Sequence, residues 1–180
     1  ALNTGGYNVA VGFKALSGED GNGKNVAVGH QALEAQNAGT DAYNVAVGQN
    51  AGKAITTGPS NVLIGGLSGT ALTTGAENIA IGYAALSTED TRGRNIAIGT
   101  LALSSQNSAA DAYNVAIGYT AGTAMTTGVE NVLIGGLAGD ALTTGHRNTV
   151  LGTYALSTED TGGRNTAIGF RTLETLDVGA

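Results

Sequence analysis

The chain has 180 residues, with 14 acidic against 8 basic side chains, a net charge of −6, and neither cysteine nor tryptophan. Disulfides and thiolate metal sites are excluded outright, and the bases are scattered singly, leaving no cationic stripe for nucleic acid or an anionic membrane. Aromatic residues make up only 4%, so Val, Ile, Leu and Ala must fill the interior, which suits a narrow one.

Along the chain, Asn-x-x-x-Gly with an apolar middle recurs ten times. The copies open at Asn8, Asn25, Asn44, Asn61, Asn78, Asn95, Asn114, Asn131, Asn148 and Asn165, reading from NVAVG through NVLIG and NIAIG to NTAIG. Their spacings are 17, 19, 17, 17, 17, 19, 17, 17 and 17 residues. So short a period leaves room for one solenoid coil per repeat and none for a helix pair.

The spacing series is itself periodic, with a 70-residue block of four coils opening at Asn8, Asn78 and Asn148. The whole of 1–180 therefore reads as one repeat domain, with super-repeats at 8–77, 78–147 and a partial one at 148–180. The first coil of each block carries Ala-Leu-Ser-x-Glu-Asp, with Glu19-Asp20, Glu89-Asp90 and Glu159-Asp160. The second is two residues longer and ends in Asp-Ala-Tyr, at Asp41 to Tyr43 and Asp111 to Tyr113. The third and fourth end in Thr-Thr-Gly. No polar cap is evident at either end, so the chain reads as a piece of a longer fibre.

Within a coil, NVAVG has the β-branched composition of a strand flanked by turn residues. Val9 and Val11 point one way and Ala10 the other. Both faces are apolar, a pattern of burial on both sides. The flanking Val and Ile are expected to fill the roll, leaving the Ala10–Ala167 stripe for another chain. A second segment, such as Tyr83-Ala84-Ala85-Leu86, reads as a short strand with one wet face, giving strand, turn, strand, turn. The Asn side chain is expected to bond its turn and stack on the next Asn, as in amide ladders. The closing Gly, from Gly12 to Gly169, is expected to adopt a conformation closed to bulkier residues.

NVAVG, NIAIG and NTAIG followed by Ala-Leu resemble the repeats of YadA-like heads in trimeric autotransporter adhesins. GYAALSTEDTRGRN at 82–95 and TTGVEN at 126–131 are still more similar to the NTAIGYxAL repeats of phage tail-fibre and bacterial surface proteins. The likeness covers essentially the whole chain. It implies an all-β, left-handed parallel β-roll (a β-solenoid) on a cell or virion surface, with three chains side by side.

Sharper chemistry finds little support. The Glu-Asp pairs read as solvated turns rather than calcium sites, because each turn offers two carboxylates where calcium takes six to eight oxygens. His30 and His146 occupy non-equivalent positions, and no triad or phosphate loop is evident. The Thr-Thr-Gly pairs recur in only two consecutive coils, which favours turn chemistry over an ice-matching array. The inserted coils, with Gln36, Asn37 and Tyr43, and Gln106, Asn107 and Tyr113, are the candidate ligand-contact loops, or equally a bulge with a packed Tyr. Residues 34–42 and 104–112 are expected to protrude. Glu77 beside Arg94, and Glu130 beside Arg147, are expected to pair across coils.

The reading is of a non-enzymatic, cofactor-free homotrimer: an extracellular structural or adhesive segment of a bacterial surface adhesin or fibre, or alternatively the shaft or receptor-binding region of a phage-type tail fibre. Its expected partners are itself and a host-surface protein or glycan. No apolar run approaches the roughly 20 residues of a membrane span, so no membrane insertion by this segment is expected.

Overall fold

A computed structural model describes residues 6–19 and 23–175. Its architecture is a parallel β-solenoid of about nine turns with no helix among the described residues. The strands are β1 (Val9–Val11), β2 (Val26–Val28), β3 (Val45–Val47), β4 (Val62–Ile64), β5 (Ile79–Ile81), β6 (Ile96–Ile98), β7 (Val115–Ile117), β8 (Val132–Ile134), β9 (Thr149–Leu151) and β10 (Thr166–Ile168). They form one ten-stranded sheet in sequence order, with every pairing parallel and in register. Asn-x-x-x-Gly thus supplies a three-residue strand, and the 17- or 19-residue step carries the chain once around to the next rung.

The two faces of the strand are the reverse of the sequence expectation. In β2, β3, β5, β6 and β7 the middle residue is buried and its two neighbours are half-exposed. Ala27, Ala46, Ala80, Ala97, Ala116 and Ala167 lie inside the roll, fully enclosed. The Val and Ile side chains point outward. The roll is narrow, and at Ala27, Ala80 and Ala97 a leucine from the opposite wall already fills it. The opposite wall supplies Leu16, Leu33, Leu86, Leu103 and Leu156, all fully buried, so the strand contributes the small partner.

That opposite wall is not a second strand. After each closing glycine the chain makes two consecutive turns, closed in the second coil by Ala32 N–H to Gly29 C=O at 3.4 Å and Glu34 N–H to Gln31 C=O at 3.3 Å. The third residue of each turn has positive φ: Gln31 at 57° and Leu33 at 50°, Ala84 at 52° and Leu86 at 50°. This is the position where a type II turn requires it. Left-handed Leu is strained, at about 1 kcal/mol or more. It is offset here because the two amides point to opposite neighbours: Gln31 N–H bonds back to Phe13 C=O at 2.8 Å, and Leu33 N–H bonds forward to Ala51 C=O at 3.0 Å. Alternating φ sign thus lets a non-strand segment bond to the coils on both sides. A strand pattern in the sequence cannot distinguish this from β-structure, because both place alternate residues inward.

The closing glycines behave as expected. Gly29 has φ of 138°, and a Cβ there would lie 2.4 Å from the carbonyl oxygen of Gly48 in the next coil. Stacked backbones pass too closely at this corner for any side chain.

The asparagine ladder is the main polar feature of the interior. Each Asn backbone N–H donates to the side-chain oxygen of the Asn one coil before, from Asn25 to Asn8 at 2.8 Å through Asn165 to Asn148 at 2.9 Å. At four rungs the amides also bond to one another, as Asn61 Nδ2 to Asn44 Oδ1 at 3.2 Å and Asn78 Nδ2 to Asn61 Oδ1 at 3.1 Å. Asn44, Asn61, Asn78, Asn95, Asn114 and Asn131 have no exposed surface. The ladder thus bonds every one of these enclosed side-chain oxygens, as buried polar groups require, while the Asn95 Nδ2 group is left over.

Candidate functional site: the outer sheet face and the inserted loops

The outward residues of the strands form two parallel apolar columns along the rod. One runs through Val26, Val45, Val62, Ile79, Ile96, Val115 and Val132, and the other through Val28, Val47, Ile64, Ile81, Ile98, Ile117 and Ile134. Stacking on the next coil covers each side chain in part. They are left half-exposed, with Ile64 39% and Leu151 47% accessible. Past the glycine corner stand exposed rings at Phe13, Tyr83, Tyr119 and Phe170. Phe13 stacks on His30 in the next coil at 5.3 Å. His30 is therefore engaged in a surface ring stack.

On the opposite flank, the residue just before each Asn has positive φ: 55° at Tyr43, 59° at Glu77, 64° at Arg94, 59° at Arg147. None of these ten positions is glycine, so nothing in the sequence marks them. Their side chains fan outward and pair from coil to coil. Arg94 Nε meets Glu77 at 2.9 Å and Arg147 Nε meets Glu130 at 2.6 Å, the two pairs expected from the sequence. The Glu77 hydrogen bond raises the Arg94 pKa further.

The inserted coils repeat one arrangement a super-repeat apart. Lys24 reaches Asp41 at 2.7 Å and Tyr43 Oη at 3.1 Å, and its ammonium sits 5.1 Å from the Tyr43 ring centre. Arg94 likewise pairs with Asp111, bonds Tyr113 Oη at 3.1 Å and lies 5.6 Å from that ring. The base on the preceding coil thus clamps Asp-Ala-Tyr onto the rod. Lys24 holds the Asp41 carboxyl below its usual range, chiefly through their hydrogen bond.

The two extra residues are absorbed between Asn37 N–H to Thr56 C=O, at 2.9 Å, and Ala42 N–H to Gly23 C=O, at 3.2 Å. A Cβ on Gly39 would meet nothing within 4 Å, so the loop stands off the rod there. Asn37, Asn107, Tyr43 and Tyr113 are exposed. Gln36 and Gln106 are not available to a ligand. Both are completely enclosed and accept from the ladder, Gln36 Oε1 from Asn44 Nδ2 at 2.9 Å and Gln106 Oε1 from Asn114 Nδ2 at 3.3 Å.

The Glu-Asp turns also depart from expectation. Glu19, Glu89 and Glu159 point inward, at 2%, 0% and 4% exposure, and only the aspartates Asp90 and Asp160 remain at the surface; Asp20 lies outside the described residues. Glu159 caps its own turn, its Oε1 accepting from Gly162 N–H at 2.6 Å and Thr161 N–H at 3.2 Å. The inward side chain is set by the coil-to-coil step. The column running through Glu19, Gln36, Ile55, Leu72, Glu89, Gln106, Met125 and Leu142 is one continuous interior line.

The threonine pairs serve the turns: Thr73 Oγ1 donates to Asp90 C=O at 2.9 Å, and Thr56 Oγ1 to Thr73 C=O at 3.2 Å. Among the described residues no group of three or more His, Asp or Glu is placed to hold a metal ion, and no helix is long and apolar enough to cross a membrane. No family model, curated protein or solved structure matches the chain.

Proposed function

We propose that this chain is a non-enzymatic rod segment of a bacterial surface adhesin or extracellular fibre, a left-handed roll that assembles side by side as a parallel homotrimer. The outward Val/Ile columns carry the reading. Nine coil steps of about 4.8 Å and columns roughly 7 Å apart give a stripe on the order of 300 Å² between column centres alone. The exposed aromatic rings widen it. The stripe and the rings beside it form the centre of a candidate contact face, and a stable partner covers roughly 800 Å² per side. Every copy of the chain carries the same stripe, and a closed ring of copies covers it without leaving an open end. The Val and Ile columns, rather than the alanines, then face the axis. The rod projects and stiffens, and the clamped loops at Tyr43 and Tyr113 offer its flank to a host-surface protein or glycan.

The absence of cysteine makes the test direct. A single Ile98→Cys variant should cross-link between chains under mild oxidation, because equivalent residues converge at the axis. Ser87→Cys, away from the outer sheet face, should not. Equal cross-linking of both, or of neither, overturns the arrangement.

A further inference from the structure

Most interior positions of the roll are apolar or belong to the asparagine ladder. Buried polar atoms without a partner are scattered along the rod, among them Asn8 Nδ2 and Asn165 Nδ2, but three of them belong to neighbouring interior positions of adjacent coils. Glu89 is completely enclosed, as are Asn95 in the next coil and Gln106 one coil step beyond Glu89. Each keeps a buried polar atom without a hydrogen-bond partner: Glu89 Oε2, Asn95 Nδ2 and Gln106 Nε2. In the preceding super-repeat the same positions are closed by contacts, Asn25 Nδ2 to Glu19 Oε2 at 3.4 Å and Gln36 Nε2 to Thr56 C=O at 3.1 Å. The central cluster is a looser copy of a design that its neighbour satisfies.

The groups packed around Glu89 offer no counter-charge. On its own turn, Asp90 carries a like charge, and Arg92 contributes its backbone N–H, 3.3 Å from Glu89 Oε1, while its side chain is exposed. The preceding coil presents Leu72 in the same interior column, and its Glu77 is committed to Arg94 on the outside. The following coil presents Gln106 and the Ser108 backbone, with Asp111 paired outward to Arg94.

We propose that the Glu89–Asn95–Gln106 cluster is a proton-operated latch in the middle of the rod. With its proton, Glu89 is a neutral side chain that the interior accepts, and the turn at 87–93 closes over it. Without it, a carboxylate that has backbone N–H donors but no counter-charge must recruit water, and that turn loosens from the coils on either side. Burial agrees with this, raising the Glu89 pKa from its ordinary 4.5 to about 7 against the opposing backbone hydrogen bonds of Ser108 and Arg92. The folded-state value lies above the unfolded one. The stabilisation is therefore fully present below about pH 4.5 and is lost as pH rises through about 7.

The test compares the full chain with Glu89→Gln, an uncharged side chain of nearly the same shape that already occupies the adjacent rung as Gln106. Carbon-detected NMR of the glutamate carboxyls should show one resonance, absent from Glu89→Gln, titrating near neutrality. Hydrogen exchange of the amides at 87–93 should accelerate at least tenfold between pH 5 and pH 8 beyond the intrinsic pH effect, and should not do so in Glu89→Gln. A variant with His30→Asn and His146→Asn should keep the acceleration. If every glutamate titrates below pH 5, or if Glu89→Gln shows the same acceleration as the parent chain, the latch does not exist.

Discussion

A Cβ placed on Gly52 would lie 2.6 Å from Cδ1 of Leu63 in the next coil, and one on Gly69 would lie 2.7 Å from Cδ2 of the same leucine. The second super-repeat repeats this with Leu133, at 2.8 Å from Gly122 and 3.0 Å from Gly139. Where the strand carries a leucine, the facing left-handed turn positions carry glycine. At Ala27, Ala80 and Ala97 the leucine comes from the turn instead, at Leu33, Leu86 and Leu103. At Gly52 and Gly122 the volume is filled by the leucine of the next coil's strand.

Gly52→Ala should therefore destabilise the rod by about 1–3 kcal/mol through overpacking. Combined with Leu63→Ala it should cost less than the sum of the two single changes, since the second opens the space the first needs. Chemical denaturation of the four proteins measures this. Strict additivity would show that the two residues do not compete for one volume.

A related exchange operates within the coil. Leu86 and Glu89 occupy the positions that Gly69 and Leu72 occupy one coil earlier. Leu86→Gly alone should cost about 3–5 kcal/mol as a large-to-small core change. Adding Glu89→Leu should restore at least about 1 kcal/mol of that, read as a rise in denaturation midpoint over the single variant.

The asparagine ladder should be the most sensitive polar element. Asn61 Nδ2 donates to Gly75 C=O at 2.9 Å and to Asn44 Oδ1 at 3.2 Å, while its Oδ1 accepts from Asn78 N–H at 2.9 Å. Asn61→Ala leaves those buried partners unsatisfied, at an expected cost of about 2–4 kcal/mol. By contrast Arg147→Ala, which breaks an exposed pair, should cost at most about 1 kcal/mol. Comparable losses from the two changes would contradict the assignment of the ladder as interior support.

Stability should pass through a maximum in mild acid. The Lys14 hydrogen bond lowers the Glu34 pKa, and Lys24 does the same for Asp41. The support these carboxylates give is present above their ordinary range and is lost as pH falls through the depressed values. Glu89 acts at the other limb. The melting temperature of the parent chain is therefore expected to peak near about pH 5. The acid limb, resting on exposed pairs, should weaken in high salt while the upper limb persists.

The strand positions, the coil step and the ladder were legible in the sequence because each rests on a residue type repeated at fixed spacing: Asn at its ladder place, Gly where stacked backbones touch. The direction of the strand faces was not. Val-Ala-Val is apolar on both sides, and only the volume of the facing wall decides that the middle residue, as at Ala27 and Ala46, goes inward. Left-handed Leu16, Leu33 and Leu86 left no signature either, since a leucine directed inward from a short Ala-Leu segment looks like part of a strand. Glu89 and Gln106 read as surface turn residues by their chemistry. Their burial became visible only when the coil step aligned them with Ile55 and Leu72, and that alignment was already present in the 17- and 19-residue spacings.

Self-association through the outer sheet face is the central claim, and the solution mass tests it most directly. Light scattering on the purified chain at micromolar concentration should give three times the 17.7 kDa chain mass. Ile81→Glu combined with Ile98→Glu, which places charge on the outward column without entering the core, should reduce it to one. A parent chain that remains a 17.7 kDa monomer under the same conditions would contradict the account.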